Sequence, residues 1–224
     1  LETVLEAVSE IRASFPDVEL VAGNVATPQG VEDLAAAGAD GVKVGIGPGS
    51  HCTTRKVAGV GVPQITAISD TADVARDLAV TIIADGGIRS SGDAVKALMA
   101  GADTVMMGSL FAGTEESPGK IIVRDGERYK RSRGMATTAA NRARTDKDTD
   151  GPAADEGVEA LAPYSGSLED VASEFAAGIR SGLSYGGGET IETARRNAEF
   201  IRAAPSAQDR EGAHFDDEWE SPST

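Results

Sequence analysis

The sequence predicts an α/β protein with a parallel sheet, and more specifically the C-terminal half of a (β/α)₈ TIM barrel. Short apolar segments alternate with helical periodicity through the first half of the chain. Residues 22–45 also resemble residues 84–108, with Gly38-Ala39-Asp40 aligned to Gly101-Ala102-Asp103. Duplicated strand–helix–strand units favour a barrel over a doubly wound sheet, but only four strands are readable where a closed barrel needs eight. A smaller α/β domain is the alternative.

Each predicted strand is a short run rich in Val and Ile that ends in glycine or a polar residue. These runs are residues 18–22, 42–44, 80–84 and 104–107. The segments between and before them carry apolar residues at helical spacing, with Pro28 near one start and Gly38 and Gly101 behind two ends. The first predicted helix begins the sequence and ends at Phe15-Pro16-Asp17, and the second runs from about Pro28 to the C-cap signal Gly38. Two more helices are predicted over residues 71–78 and 92–99.

A flap is predicted after the last strand, over about residues 114–163. Its first part contains Asp125-Gly126 between Ile121-Ile122-Val123 and Arg128-Tyr129-Lys130, which predicts a hairpin. Residues 137–157 are polar and without periodicity, as in a mobile flap or a linker. Two further helices are predicted at 168–179 and 191–201, followed by a polar tail at 205–224. We interpret residues 1–224 as one partial barrel domain.

The composition limits the classes of function. Thirty-six acidic residues against 21 basic ones give a net charge of −15, which argues against nucleic acid as the main partner. We interpret this charge as a halophile-like surface. No apolar run is long enough for a membrane span, and no secretory signal opens the sequence. The single cysteine excludes a disulfide framework, so we expect a cytoplasmic protein.

The candidate chemistry lies at the ends of three predicted strands. Cys52 follows a strand within a glycine-rich loop, where a thiolate can attack an electrophilic carbon; an incidental cysteine is the alternative. Asp85-Gly86-Gly87 and Gly108-Ser109 follow two other strands, and such small residues let backbone N–H groups approach a phosphate. Plain tight turns are the alternative for both loops. We assign no role to the two histidines, His51 and His214.

Four segments resemble the IMP dehydrogenase / GMP reductase family. They include the cysteine loop at 42–55, the segment 83–89 around Asp85, residues 106–119 and residues 129–135. The resemblance implies a (β/α)₈ barrel, of which this chain holds the second half, and a homotetramer. It implies a cysteine that attacks C2 of a purine 5′-monophosphate and forms a covalent thioimidate.

The resemblance also assigns roles to individual residues. Cys52 is then the nucleophile, and Thr54 with Glu156 forms a proton relay. The residues that bind the purine nucleotide are Ser50, Asp85, Gly86, Gly87, Gly108, Ser109, Gly134 and Met135, with Asp85 on the ribose diol. The residues that line the NADPH or NAD site are Asn24, Gly45, Ile46 and Gly47. Carbonyl groups of Gly47, Gly49 and Cys52 match a potassium site, which Glu211-Gly212-Ala213 of a neighbour would complete.

The flap favours GMP reductase over IMP dehydrogenase. Dehydrogenase flaps carry an adjacent Arg-Tyr pair that activates water, whereas residues 142–148 here contain no tyrosine. Ser132 likewise stands where dehydrogenases commonly have tyrosine. Residues 117–119 and 156–159, in contrast, look more dehydrogenase-like. We therefore predict GMP reductase (GMP and NADPH to IMP, ammonia and NADP). The alternatives are IMP dehydrogenase (IMP, NAD and water to XMP and NADH) and an inactive nucleotide-binding or assembly module.

Overall fold

The computed structural model describes residues 2–134 and 159–204, and a four-stranded parallel sheet forms its centre. The strands are β1 (Val21–Val25), β2 (Gly41–Val44), β3 (Thr81–Asp85) and β4 (Thr104–Met106). They pair in chain order, and every pair is parallel. In a doubly wound sheet the strand order reverses at the centre of the sheet, whereas here it is sequential, as in part of a barrel. The predicted α/β class with a parallel sheet is confirmed.

Helices precede and connect these strands. They are α1 (Glu2–Ser14), α2 (Pro28–Ala36), a single turn α3 (Thr54–Val57), α4 (Gln64–Asp77) and α5 (Ser91–Met99). The two aligned repeats begin their helices in the same way, because the hydroxyl groups of Thr27 and Ser90 accept from the backbone N–H three residues later. This shared cap supports the internal duplication that the sequence predicts.

The core lies between the sheet and its helices. Val42 and Val44 of β2 are fully buried, and so are Leu34 of α2 and Ile68 of α4. Lys43, between the two valines, points to the opposite face of the sheet because side chains alternate along a strand. The helix-facing side of the sheet is therefore apolar, and its other side carries polar groups toward the strand ends.

The region predicted as a flap contains a second, antiparallel sheet. It consists of β5 (Ile121–Arg124), β6 (Glu127–Arg133) and β7 (Glu159–Pro163) in that order. The predicted hairpin is confirmed, and Asp125 and Gly126 both have positive φ at its turn. Strand β7 was not predicted, and residues 135–158 lie outside the described part of the chain.

Several predicted boundaries were wrong. Strand β1 is shifted toward Val25, and α4 begins directly after Pro63 rather than at residue 71. Helix α6 (Leu168–Tyr185) extends beyond residue 179 because its glycines face α5: a Cβ on Gly182 would lie 2.5 Å from a methyl group of Val95. Helix α7 (Ile191–Asn197) stops before residue 201, since the backbone of Ala198 is extended. Among the described helices, none is long and apolar enough to cross a bilayer.

Candidate active site

A cavity of about 400 Å³ opens at the carboxyl ends of the parallel strands. The loops after β2, β3 and β4 form three of its walls, and the end of β6 forms the fourth. Its lining contains most of the predicted nucleotide-binding residues and the cysteine, since parallel strands bring the loops that follow them to one edge of the sheet. The lining residues are Gly49, Ser50, His51, Cys52, Asp85, Gly86, Gly87, Gly108, Ser109, Ser132, Arg133 and Gly134.

Glycine is required where the loop after β3 meets the cysteine loop. Gly86 and Gly87 have φ of +91° and +80°, in the left-handed region that disfavours other residues. A Cβ on Gly86 would also lie 3.0 Å from Pro48 Cγ and 3.1 Å from the backbone nitrogen of Gly49. The two loops therefore touch through their backbones, and this contact places Asp85 and Cys52 on the same cavity.

Cys52 is partly buried and lies beside a hydroxyl group. Its Sγ is 3.0 Å from Oγ1 of Thr54, the first residue of α3. The backbone nitrogen of Cys52 donates to the carbonyl of Gly49 at 3.0 Å, which closes the loop as a turn. A thiol held this way at a cavity wall can act as a nucleophile, with the hydroxyl exchanging a proton or a hydrogen bond with the sulfur.

The far end of the cavity has the character of an anion site. Ser50 Oγ donates to Ser109 Oγ at 3.3 Å, so the cysteine loop and the loop after β4 meet there. Arg133 and Ser132, at the end of β6, also line the cavity. Hydroxyl groups, glycine N–H groups and a guanidinium are the donors that a phosphate monoester requires.

The sequence did not assign a role to Arg133 or His51, although both line the cavity. Neither residue stands out in the sequence, because Arg133 is one of several charged residues of β6 and His51 is a lone histidine in a loop. Its Nε2 is buried and has no hydrogen-bond partner among the described residues. Met135 and Glu156, which the sequence predicted for the base and the relay, lie outside the described residues.

Asp85 is fixed by two donors from the neighbouring strands. Lys43 Nζ on β2 lies 3.1 Å from Asp85 Oδ2, and Asn24 Nδ2 on β1 donates to the same oxygen at 2.9 Å. The side chains of Lys43 and Asp85 are 30% and 25% exposed, so solvent screens this pair only in part. Lys43 was missed by the sequence analysis, although a lysine between two valines of a buried strand is a signal in itself.

The residues predicted for the cofactor gather beside this cavity. Asn24 and Ile46 line a second cavity of about 340 Å³, together with Val60, Gly61 and Val62. Gly45 is held next to them because its carbonyl accepts from Asn24 Nδ2 at 3.0 Å. Gly47 packs on the stem of Arg55, and the guanidinium of Arg55 donates to the carbonyl of Val62 at 2.6 Å. The two cavities are adjacent, and the Asn24–Asp85 hydrogen bond joins their walls.

The predicted potassium site is composed of backbone carbonyls in the cysteine loop. The carbonyl of Gly49 already accepts from Cys52, but a carbonyl oxygen has a second lone pair and can also bind a cation. The loop carries the positive φ of Gly47 at +81°, which a tightly curved loop of this kind needs. Residues 211–213 lie outside the described part of the chain.

The chain is similar in sequence to one family of known proteins over nearly its whole length. The model of the IMP dehydrogenase / GMP reductase domain family matches residues 1–214. The chain is 50% identical to an inosine-5′-monophosphate dehydrogenase from Nitrosopumilus maritimus, over 90% of this chain and 44% of that protein. It is 49% identical to the corresponding enzyme of Halobacterium salinarum, over 92% of this chain and 42% of that protein.

The fold of the chain is also similar to a solved structure. It is that of a GMP reductase variant from Trypanosoma brucei in complex with guanosine 5′-monophosphate. The TM-score is 0.87 at 41% identity, and the match covers 94% of this chain and 44% of that one. The chain thus spans less than half the length of the relatives it matches.

Proposed function

Since the chain belongs to the IMP dehydrogenase / GMP reductase family, we propose that it supplies the nucleotide-binding half of an IMP dehydrogenase. The observation that carries this proposal is the cysteine beside Thr54 on a cavity whose other walls can hold a nucleoside monophosphate. Relatives at about 50% identity are IMP dehydrogenases, and this favours the dehydrogenase over the reductase that the flap sequence favours.

The proposed substrate fits the cavity from end to end. Ser50, Ser109 and the glycine N–H groups bind the phosphate of IMP, with Arg133 adding positive charge. The carboxylate of Asp85 accepts from the ribose hydroxyls. Gly134 borders the purine, which places C2 toward Cys52. A ligand held at both ends in this way has its reacting carbon positioned for attack.

The proposed reaction begins when Cys52 Sγ forms a bond to C2 of IMP. The hydrogen on C2 leaves as hydride, which the nicotinamide of NAD accepts, so the purine is oxidised and a thioimidate forms. Water then adds to C2, the C2–S bond breaks, and the products are XMP and the free thiol. Thr54 Oγ1 is 3.0 Å from the sulfur, close enough to share its proton in both steps.

The nicotinamide would lie against Asn24, Gly45, Ile46 and Gly47. Asn24 and Ile46 line a cavity that the Asn24–Asp85 hydrogen bond joins to the nucleotide cavity, and this supports a hydride acceptor near C2. A potassium ion held by carbonyls of Gly47, Gly49 and Cys52 would stabilise the curvature of the cysteine loop. Assembly as a homotetramer, which the family resemblance implies, belongs to the same proposal.

The test follows nicotinamide absorbance with the protein as expressed from its natural gene. We expect NADH and XMP to form from IMP and NAD. NADPH consumption with release of ammonia from GMP would instead make the protein a GMP reductase, the second candidate, which the absence of tyrosine at 142–148 favours. IMP binding without turnover in either assay would leave the third candidate, a nucleotide-binding module.

A further inference from the structure

We propose that Lys43 is a positioning residue that orients the Asp85 carboxylate for the ribose hydroxyls of the nucleotide. The inference rests on the proposed function, because it takes Asp85 as the group that meets the ribose. It adds a residue to which neither the sequence analysis nor the comparisons give a role.

The sheet brings Lys43 to Asp85. In the parallel register, Lys43 is opposite Gly23 on β1 and Ile83 on β3. Side chains of directly paired residues point to the same face, and Asp85 follows Ile83 by two residues, so Lys43 and Asp85 share a face. A Cβ on Gly23 would lie 2.9 Å from Lys43 Cβ, so the glycine opposite leaves room for the lysine stem.

Both donors reach the same carboxylate oxygen. Lys43 Nζ and Asn24 Nδ2 lie 3.1 Å and 2.9 Å from Asp85 Oδ2. Within residues 2–134 and 159–204, the hydrogen bonds of the Asp85 side chain all end on Oδ2. The other oxygen, Oδ1, thereby keeps its acceptor capacity, and two donors on Oδ2 fix the rotation of the group.

The two donors differ in strength and in what else they do. Asn24 also donates to the carbonyl of Gly45 and lines the neighbouring cavity, so its position depends on that loop. Lys43 makes a charge-assisted bond from within β2, whose backbone is paired on both sides. Lys43 therefore supplies the charged donor of the two, and its loss should release the carboxylate.

The test compares IMP with 2′,3′-dideoxy-IMP, which lacks both ribose hydroxyls, in equilibrium binding to the protein expressed from its natural gene. The ratio of the two affinities reports the contacts of the ribose hydroxyls, and its change in Asp85→Ala isolates the part that Asp85 contributes. We expect wild type to prefer IMP by about tenfold or more, since the hydroxyls bond to a charged acceptor. Lys43→Met should reduce this ratio to within about threefold of that of Asp85→Ala.

Three controls make the result specific. Lys43→Arg retains the positive charge and should retain most of the IMP preference. Lys96→Met removes an exposed lysine, paired with Asp93 on α5, and should leave the ratio unchanged. Adding Lys43→Met to Asp85→Ala should not change the ratio further, because Lys43 would then have no carboxylate to orient.

If Lys43→Met prefers IMP over 2′,3′-dideoxy-IMP as strongly as wild type does, the inference is overturned. In that case, loss of the preference in Asp85→Ala would still uphold the ribose role of Asp85. An equal loss of affinity for both ligands in Lys43→Met would also overturn it, since the lysine would then act on the fold or the phosphate. Failure of wild type to bind IMP at all would instead refute the proposed function.

Discussion

Cys52 Sγ and Thr54 Oγ1 lie 3.0 Å apart, with one residue between them in the chain. The contact forms because the loop turns at Cys52 and α3 begins at Thr54, which brings both side chains to one side. The hydroxyl group can donate to the sulfur when the thiol is ionised and accept from it when it is not. In the proposed reaction, the pair would serve both the attack on the purine and the release of the product.

Cys52→Ala should abolish turnover and leave nucleotide binding within about threefold of wild type, because in the proposed reaction the sulfur forms the bond to C2 but is a small part of the cavity wall. Steady-state assays with IMP and NAD, together with calorimetric titration of IMP, measure the two effects. Ser50→Ala is the matched control, since it should weaken binding of the phosphate without removing the nucleophile. Turnover by Cys52→Ala would rule out the covalent mechanism.

Lys130→Met should destabilise the protein by about 2–4 kcal/mol, because it leaves one buried and two part-buried carbonyl oxygens without this donor. Lys130 is 2% exposed, and its ammonium donates to the carbonyls of Thr114 at 2.9 Å, Glu115 at 2.8 Å and also Ser117. Urea denaturation measures the loss. Arg131→Met, on the same strand but exposed, is the control and should cost less than about 0.5 kcal/mol. Equal losses in both variants would contradict this role of Lys130.

Asp40 should make the protein sensitive to acid. The backbone N–H of Leu20 donates to its carboxylate at 2.7 Å, and Arg12 adds a hydrogen bond and an opposite charge, so the pKa of Asp40 is lowered from 3.8. A lowered pKa in the folded state contributes stability above the unfolded value, and this stability is lost as the pH falls below about 4.

Asp40→Asn tests this effect. The difference in melting temperature between wild type and variant should be largest near neutral pH and should shrink between about pH 5 and pH 3. Asp17→Asn, at an exposed position, is the control for removal of one carboxylate. A difference that does not change with pH would contradict the prediction, since it would show that ionisation of Asp40 adds nothing to stability.

The acidic composition predicts stabilisation by salt. With 36 acidic against 21 basic residues, the excess negative charges repel one another in the folded protein. Salt screens this repulsion, so the melting temperature should rise as potassium chloride increases from about 0.1 to 2 M. A parallel series in sodium chloride separates screening from a potassium-specific effect on the cysteine loop. A melting temperature that falls steadily with salt would argue against a salt-adapted surface.

The strands and the loops that follow them were predictable because their signals are local. The strand that ends at Asp85 and the loop with Cys52 each carry an apolar run followed by glycine, and parallel pairing then brings their ends together. The contacts of Asp85 were not predictable in the same way. Lys43 and Asn24 lie 42 and 61 residues away in the chain, so only the register of three strands brings them to one oxygen.

Helix lengths and β7 depended on tertiary packing. Gly178 and Gly182 lower the helix propensity of the sequence that forms α6, because glycine is unfavourable inside a helix. In the structure, both glycines let α6 pack closely against α5. Residues 159–163 form a strand only because β6 offers them a partner, in a register that pairs Tyr129 with Pro163. A segment that acquires its conformation from a neighbour has little intrinsic pattern to recognise.

The bonds of Lys130 also bear on the order in which the chain folds. Its three carbonyl partners lie only 13 to 16 residues away, and β5 pairs with β6 through a tight turn. The parallel pairs of the main sheet require longer loops to close, and each such closure costs more chain entropy before any contact forms. The hairpin and the segment after β4 are therefore suited to assemble early, as a local unit that already carries Arg133 at the cavity edge.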